Sequence, residues 1–245
     1  FIEKQASYDE VCDSVQAIVG DSGLKSAAFK FYASHINLDK RYKAGHYSFP
    51  KGVSVIRIAR ILALGEQDPV RLVIGGARTI PQLAGKISRQ IAADSAELVS
   101  TLYNKNIRAS HGYVRDSIMA MFIPNTYEVY WTTTPEQLLQ RMHREYDSFW
   151  QGDRDSKRKG VKMSRYEVMT LASIVYEETK ATDEMARVAG VYINRLRKGI
   201  PLQADPTVKY ALQDFELKRV LRKHLKFKSP HNTYVNRGLP PSPIC

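Results

Sequence analysis

Apolar side chains return every three to four positions along much of this chain, the spacing of a half-buried helix. Residues 9–19 carry Val11, Val15, Ile18 and Val19 on one face, with Gly20 as a stop. Residues 24–36 form a second helical stretch. Residues 43–50 read as a turn and then a short strand with Tyr47 and Phe49 on one face. Over 54–64, Ser54 is placed to cap a helix with the stripe Val55, Ile58, Ala59 and Leu62, and Gly65 ends it. The apolar run 70–74 predicts a strand. Thr79 and Pro81 then mark a helix start, and weaker helical segments follow at 95–104 and 112–119. Residues 122–130 begin as a turn and end as a strand, and Thr134-Pro135 opens a long helix to about Trp150. Residues 152–160 hold Arg154, Lys157, Arg158 and Lys159 and no apolar residue, which predicts a solvated loop. Two strong helices follow at 164–179 and 183–198, Gly199 closing the second. From Ile200 to Cys245 turn-forming residues and scattered cations prevail. Strand candidates are few and do not alternate with helices, so the pattern predicts an α+β fold. A soft boundary near 66–70 separates a small first module, 1–67, from a helix-rich second domain, 68–245.

The helix over 164–179 carries two adjacent glutamates. With about 100° per residue and Val168 at the origin, Leu171, Ala172, Ile174 and Val175 make the buried stripe. Glu178 falls inside that stripe and Glu177 on the water side. Glu178 is therefore expected to point towards the core or a cleft lined by it, shielded from bulk solvent. A carboxyl against apolar side chains is desolvated, which favours its protonated form, the form a general acid needs near neutral pH. The alternative is a helix-end glutamate that meets an arginine, Arg187 or Arg195, or that emerges into water. The next helix has Met185, Val188, Ala189, Tyr192 and Leu196 on one face, a packing stripe, and the short linker predicts an antiparallel pair. Asn194 and Arg195 lie off the stripe, where they can flank a cleft. Downstream, Gln203, Asp205, Asn232 and Tyr234 offer donors, acceptors and one aromatic face, which suits sugar hydroxyls and ring faces. Turn building alone accounts for the same residues.

Composition narrows the chemistry. With 245 residues, 43% apolar and 25% charged, the chain has globular proportions. Its 37 Lys and Arg against 25 Asp and Glu leave a net charge of +12, which favours an anionic partner: nucleic acid, an acidic membrane surface or an anionic polymer. No helix-turn-helix, RNP or zinc pattern supports nucleic acid. Cys12 and Cys245 are the only cysteines, too few for a disulfide framework or a Cys-rich zinc site. Cys12 sits among apolar positions and reads as a packed free thiol. His35, His46, His111, His143, His224 and His231 lack ligand spacing, so no metal is expected, and no cofactor motif appears. No apolar run approaches the roughly 18 residues of a membrane span. The chain opens Phe1-Ile2-Glu3 without Met and closes in a turn-like stretch, so both ends read as cuts.

Four ordered motifs carry a resemblance. They are Leu171-Ala172-Ser173-Ile174-Val175-Tyr176-Glu177-Glu178-Thr179, Val188 to Leu196 with Tyr192-Ile193-Asn194-Arg195, Leu202-Gln203-Ala204-Asp205-Pro206-Thr207-Val208, and Asn232-Thr233-Tyr234 with Gly238-Leu239-Pro240-Pro241. Weaker similarity runs through 122–127 and 43–49. The chain resembles, from about residue 40 onward, the MltG (YceG-like) endolytic murein transglycosylases. The resemblance implies a single-pass protein of the inner (cytoplasmic) membrane with its catalytic part in the periplasm or outside the cell. The anchor would lie outside this chain, the first module would be LysM-like, and residues 68–245 would be the catalytic domain. It implies cleavage of nascent peptidoglycan glycan strands between N-acetylmuramic acid and N-acetylglucosamine, with a 1,6-anhydro product, Glu178 as catalytic residue and cell-wall synthases as partners. Gln203, Asp205, Asn232, Tyr234 and Asn194 become the candidates for holding the sugar. Two positions depart from the family's pattern: Tyr176 and Asn125 stand where an acidic residue is often found. Those departures favour the competing reading, a non-catalytic glycan-binding scaffold.

Overall fold

The structure is a computed structural model that describes residues 1–19, 23–110, 112–113 and 115–245, the side chains of 23, 24, 115 and 116 excepted. Gly20 and His111, named above, lie outside the described residues. The helices are α1 (Tyr8–Val19), α2 (Gly23–His35), α3 (Val55–Leu64), α4 (Ile80–Ile87), α5 (Ser95–Tyr103), α6 (Lys105–Ser110), α7 (Pro135–Phe149), α8 (Asp153–Gly160), α9 (Arg165–Glu178), α10 (Thr182–Arg197), α11 (Asp205–Leu212) and α12 (Arg222–Leu225). Two strands, β1 (Pro69–Ile74) and β2 (Asn125–Tyr130), pair into one small sheet. The fold is helix-rich α+β, as the apolar pattern predicts.

The residues fall into two compact units. The first comprises Phe1–Val73 and two returning segments, Ile87–Asp94 and Thr126–Thr134. Its core gathers Val11 and Val15 of α1, Phe29 and Ala33 of α2, Leu38, and Ile58, Ala59 and Leu62 of α3. The expected cap is present: the Ser54 hydroxyl accepts from the Arg57 amide, and Gly65 ends α3 at φ 72°, a conformation glycine adopts without Cβ strain. Cys12 is a buried free thiol, and burial pushes it above its ordinary range. The strand expected around Tyr47 and Phe49 is not formed. Gly45 forms an isolated antiparallel bridge with Ile2, the His46 carbonyl accepts from the Asp68 amide at 2.8 Å, and the Ser48 amide then donates to the Asp68 carboxylate at 2.7 Å instead of to a neighbouring strand. The Gln90 side chain lies along β1, accepting from the Val73 amide at 2.8 Å and donating to its carbonyl at 3.0 Å. It thereby occupies backbone groups that would otherwise be an open sheet edge.

The second unit comprises Ile74–Lys86, Ser95–Asn125 and Pro135–Cys245. One of its cores is built from Leu171, Ile174 and Val175 of α9, Tyr192 of α10, Leu202, Ala204, Tyr210 and Ile244. The start of α9 is pinned by a capping box: the Glu167 amide donates to Ser164, and the Ser164 amide donates to the Glu167 carboxylate at 2.7 Å. The segment 239–245 is tied down on the same helix, the Ile244 amide donating to Ser173 at 3.0 Å and Tyr166 donating to the Pro241 carbonyl. α9 and α10 pack against each other, separated by only 179–181.

Two local expectations are corrected and one is made specific. Residues 152–160 form α8 rather than a loop. Asp153 and Asp155 occupy its first turn and Lys157, Arg158 and Lys159 its last, which complements the helix dipole. Asp155 also bonds Arg158 at 2.7 Å and Lys159 at 2.9 Å. The helical segment expected over 112–119 is a 3-10 helix over 115–121. In the turn-rich end, Asp205-Pro206 opens α11, proline being tolerated in a first turn whose amides have no helical acceptor.

Candidate active site

The buried arc of α9 is broader than a single stripe. Thr170, Leu171, Ser173, Ile174 and Val175 are all buried, whereas Ala172 and Tyr176 are exposed. At about 100° per residue the covered arc spans roughly 200°, because α10 packs on one side and the segment ending at Cys245 on the other. Both glutamates of the last turn lie within that arc, so each meets protein on a different flank. Glu177 is the more covered one. It pairs with Arg78 at 3.2 Å and with Lys180 at 3.7 Å. Glu178 is exposed. The expectation of a shielded Glu178 and a solvated Glu177 is therefore overturned, and the reason is positional: α9 ends at Glu178, and no further turn covers it.

Glu178 nevertheless points at a specific neighbour. Its Oε2 accepts a hydrogen bond from the Tyr192 hydroxyl at 3.0 Å. Tyr192 is buried, its ring part of the α9–α10 core and its hydroxyl at the rim. Burial, then the charge and hydrogen bond of Glu178, push this phenol well above its ordinary range, so it remains a donor across neutral pH. Neither Arg187 nor Arg195 pairs with Glu178 among the described residues. Arg187 is exposed, and Arg195 donates to the Pro201 carbonyl at 2.8 Å and to the Gln203 side chain.

The downstream candidates divide into two groups. Gln203 sits at φ 55° and is exposed, held by Arg195. Asp205, also exposed, accepts from the Tyr234 hydroxyl at 2.6 Å. The Tyr234 phenol is pushed up to about 12, by burial first and then by the hydrogen bond and charge of Asp205 and the charge of Glu178. The charges of Glu178 and Arg195 act on both phenols, Tyr192 and Tyr234. Asn194 is exposed on α10. Asn232 does not belong with them. It is fully buried, its amide donates to the carbonyls of Leu225 at 3.0 Å and Phe227 at 2.8 Å, and its oxygen accepts from the Tyr234 amide at 3.0 Å. A side chain so occupied cannot also bind a sugar; it shapes the loop that delivers Tyr234. Thr207 and Thr233 share a 2.8 Å contact and fasten that loop to α11.

Tyr192 is the residue that sequence reasoning missed. Its place in an apolar stripe reads as packing, which it is; the signal was the hydroxyl, since a Tyr in such a stripe needs a polar partner. A cavity of about 510 Å³ lies on the other flank of α9, lined by Arg78, Phe122, Met169, Tyr176, Glu177 and Lys180 among others. Glu178 is not among its lining residues.

The YceG-like family matches residues 1–245. The chain belongs to the YceG-like family. The match reaches the first residue, further than the motifs indicated. A relative from Bacillus subtilis, named endolytic murein transglycosylase, is 27% identical over 241 residues, 89% of this chain and 64% of that protein. One of the same name from Streptococcus pneumoniae is 27% identical over 249 residues, 88% of this chain and 44% of that protein. The chain thus spans about half to two thirds of the length of these YceG-like relatives. The crystal structure of a YceG-like protein from Listeria monocytogenes superposes with a TM-score of 0.63 at 28% identity, covering 99% of this chain and 84% of that one.

Proposed function

We propose that the chain is the cleaving part of an endolytic murein transglycosylase and that Glu178 is its general acid and base. Family membership and the names of the relatives support the substrate class. The observation that carries the assignment is the 3.0 Å hydrogen bond from buried Tyr192, which holds an exposed carboxylate whose charge also acts on the Tyr234 phenol.

Glycoside hydrolysis ordinarily needs two carboxyl groups flanking the bond, one of them to activate water or form a covalent intermediate. Tyr176 and Asn125 supply none, and Asp205 is engaged by Tyr234. One carboxyl is enough if the muramic acid's own 6-hydroxyl is the nucleophile. Glu178 gives its proton to the glycosidic oxygen as the bond to C1 breaks. The 6-hydroxyl bonds C1 and returns its proton to Glu178, so no water is consumed and the product ends in a 1,6-anhydro ring. Holding Oε2 on Tyr192 turns Oε1 towards the sugar. Intramolecular attack gains from proximity when the ring pucker is held; Asn194, Gln203, Asp205 and Tyr234 are the side chains for that task. A bound strand would also displace the water that Glu178 now meets.

Residues 1–67 complete this reading as a small LysM-like module, supported by the core they share and by the Ile2–Gly45 bridge that brackets α1 and α2. A single membrane anchor outside this chain, an extracytoplasmic site and synthase partners belong to the same proposal. Among the described residues no helix is long and apolar enough to cross a membrane.

The test is digestion of intact sacculi by the parent chain, Glu178→Gln and Glu177→Gln, with mass spectrometry of the products. The parent and Glu177→Gln are expected to release anhydro-muropeptides, and Glu178→Gln to lose about a hundredfold or more in rate, the usual size of acid–base catalysis. Anhydro ends from Glu178→Gln at the parental rate would sink the assignment. Reducing ends from the parent would mean hydrolysis, and no product at all would favour the glycan-binding scaffold.

A further inference from the structure

We propose that the segment 214–228 is a docking surface for a membrane bearing anionic phospholipids. The observation is an uncompensated cluster of charge with apolar side chains set in it. Lys218, Arg219, Arg222, Lys223, Lys226 and Lys228 are all exposed, against Asp214 and Glu216 in the same segment. None of the six cations forms an ion pair among the described residues. This separates the segment from α8, where Lys157 pairs with Asp153, and Arg158 and Lys159 with Asp155.

Leu221 is 45% exposed and Phe227 42% exposed, one before α12 and one after it. Val235, 49% exposed, lies in the turn that follows the segment, which the Asn236 side chain closes by donating to the Ser229 carbonyl at 2.7 Å. The segment is also braced from within: Asn232 holds the Leu225 and Phe227 carbonyls, and His224 accepts from the Leu221 amide at 3.1 Å. A braced loop with cations around projecting apolar side chains matches the chemistry of a bilayer surface. Phosphate headgroups meet the ammonium and guanidinium groups, and the leucine and phenylalanine enter the acyl boundary. A soluble polyanion would use the cations and gain nothing from Leu221 and Phe227, which is why the membrane is the occupant argued here. The inference does not depend on which carboxylate is catalytic.

The experiment is flotation of the full chain with vesicles of phosphatidylcholine, alone or mixed equally with phosphatidylglycerol. The chain is expected to float only with the mixed vesicles, and less as salt rises. The triple substitution Lys223→Gln, Lys226→Gln, Lys228→Gln should weaken binding about fivefold per cation removed. The double substitution Leu221→Asn, Phe227→Asn should weaken it by about tenfold at unchanged charge. Equal binding to neutral vesicles, no binding, or an unaltered triple variant overturns the proposal. So does an unaltered apolar variant whose binding inorganic polyphosphate competes away, since that identifies a polyanion as partner. Each variant is first checked by thermal unfolding, and Lys226→Gln alone replaces any that fails to fold.

Discussion

At Tyr192 one side chain serves two purposes. The ring fills the core between α9 and α10, and the hydroxyl holds Glu178. The substitution Tyr192→Phe separates them, because it keeps the ring and removes only the donor. Loss of that bond leaves the reacting carboxylate free to misplace, which can cost about a hundredfold, so turnover per folded molecule should fall by roughly ten- to a hundredfold. The unfolding temperature should barely move, since the hydroxyl lies at the rim. A large loss of stability with unchanged turnover would make Tyr192 purely structural. At this scale the sequence was legible in type and illegible in contact. The motif residues were recognisable, but that Asn232 is spent on backbone carbonyls while Tyr234 reaches Asp205 depends on a turn whose path local patterns do not specify.

Helices announced by caps and stripes appear where the pattern puts them, and α9 is the best case. Ser164 and Glu167 close its first turn reciprocally. Replacing Ser164 by Ala should cost about 1 kcal/mol of stability, measured by urea unfolding. Turnover per folded molecule should be unchanged, because Glu178 stands at the opposite end of the helix. Activity lost in parallel would mean that the helix end moves with its start. α8 shows the limit of reading apolar periodicity: it has no apolar residue, and its signal was the order of charges, acids first and bases last. The strand expected at Tyr47 fails for a complementary reason. Its alternation was right, but a strand needs a continuing backbone ladder, and Asp68 offers one amide bond to the His46 carbonyl before its carboxylate takes over at the Ser48 amide.

Across the whole chain, phenols on both units titrate late. Tyr8, Tyr146 and Tyr234 are each raised from 10.0 to about 12, with burial the first cause in all three. Tyr113 and Tyr192 shift in the same direction. A raised folded value means that the unfolded chain gives up these protons first. Stability should be intact below pH 10 and fall between pH 10 and about 12. Urea unfolding at stepped pH, with tyrosinate absorbance recorded alongside, checks this; a flat stability across that window would refute it.

The positions of the helices with apolar stripes, the α+β class, the basic balance and the family were present in the order of residues, because each rests on spacing, local hydrogen bonding or motif identity. The environment of the two glutamates was not. A wheel drawn on one helix assumes one buried side, and α9 has two, one against α10 and one against the segment that ends at Cys245. Only the folded chain decides which carboxylate meets Arg78 and which meets a phenol, since those partners come from residues far apart in sequence and converge only when the core closes.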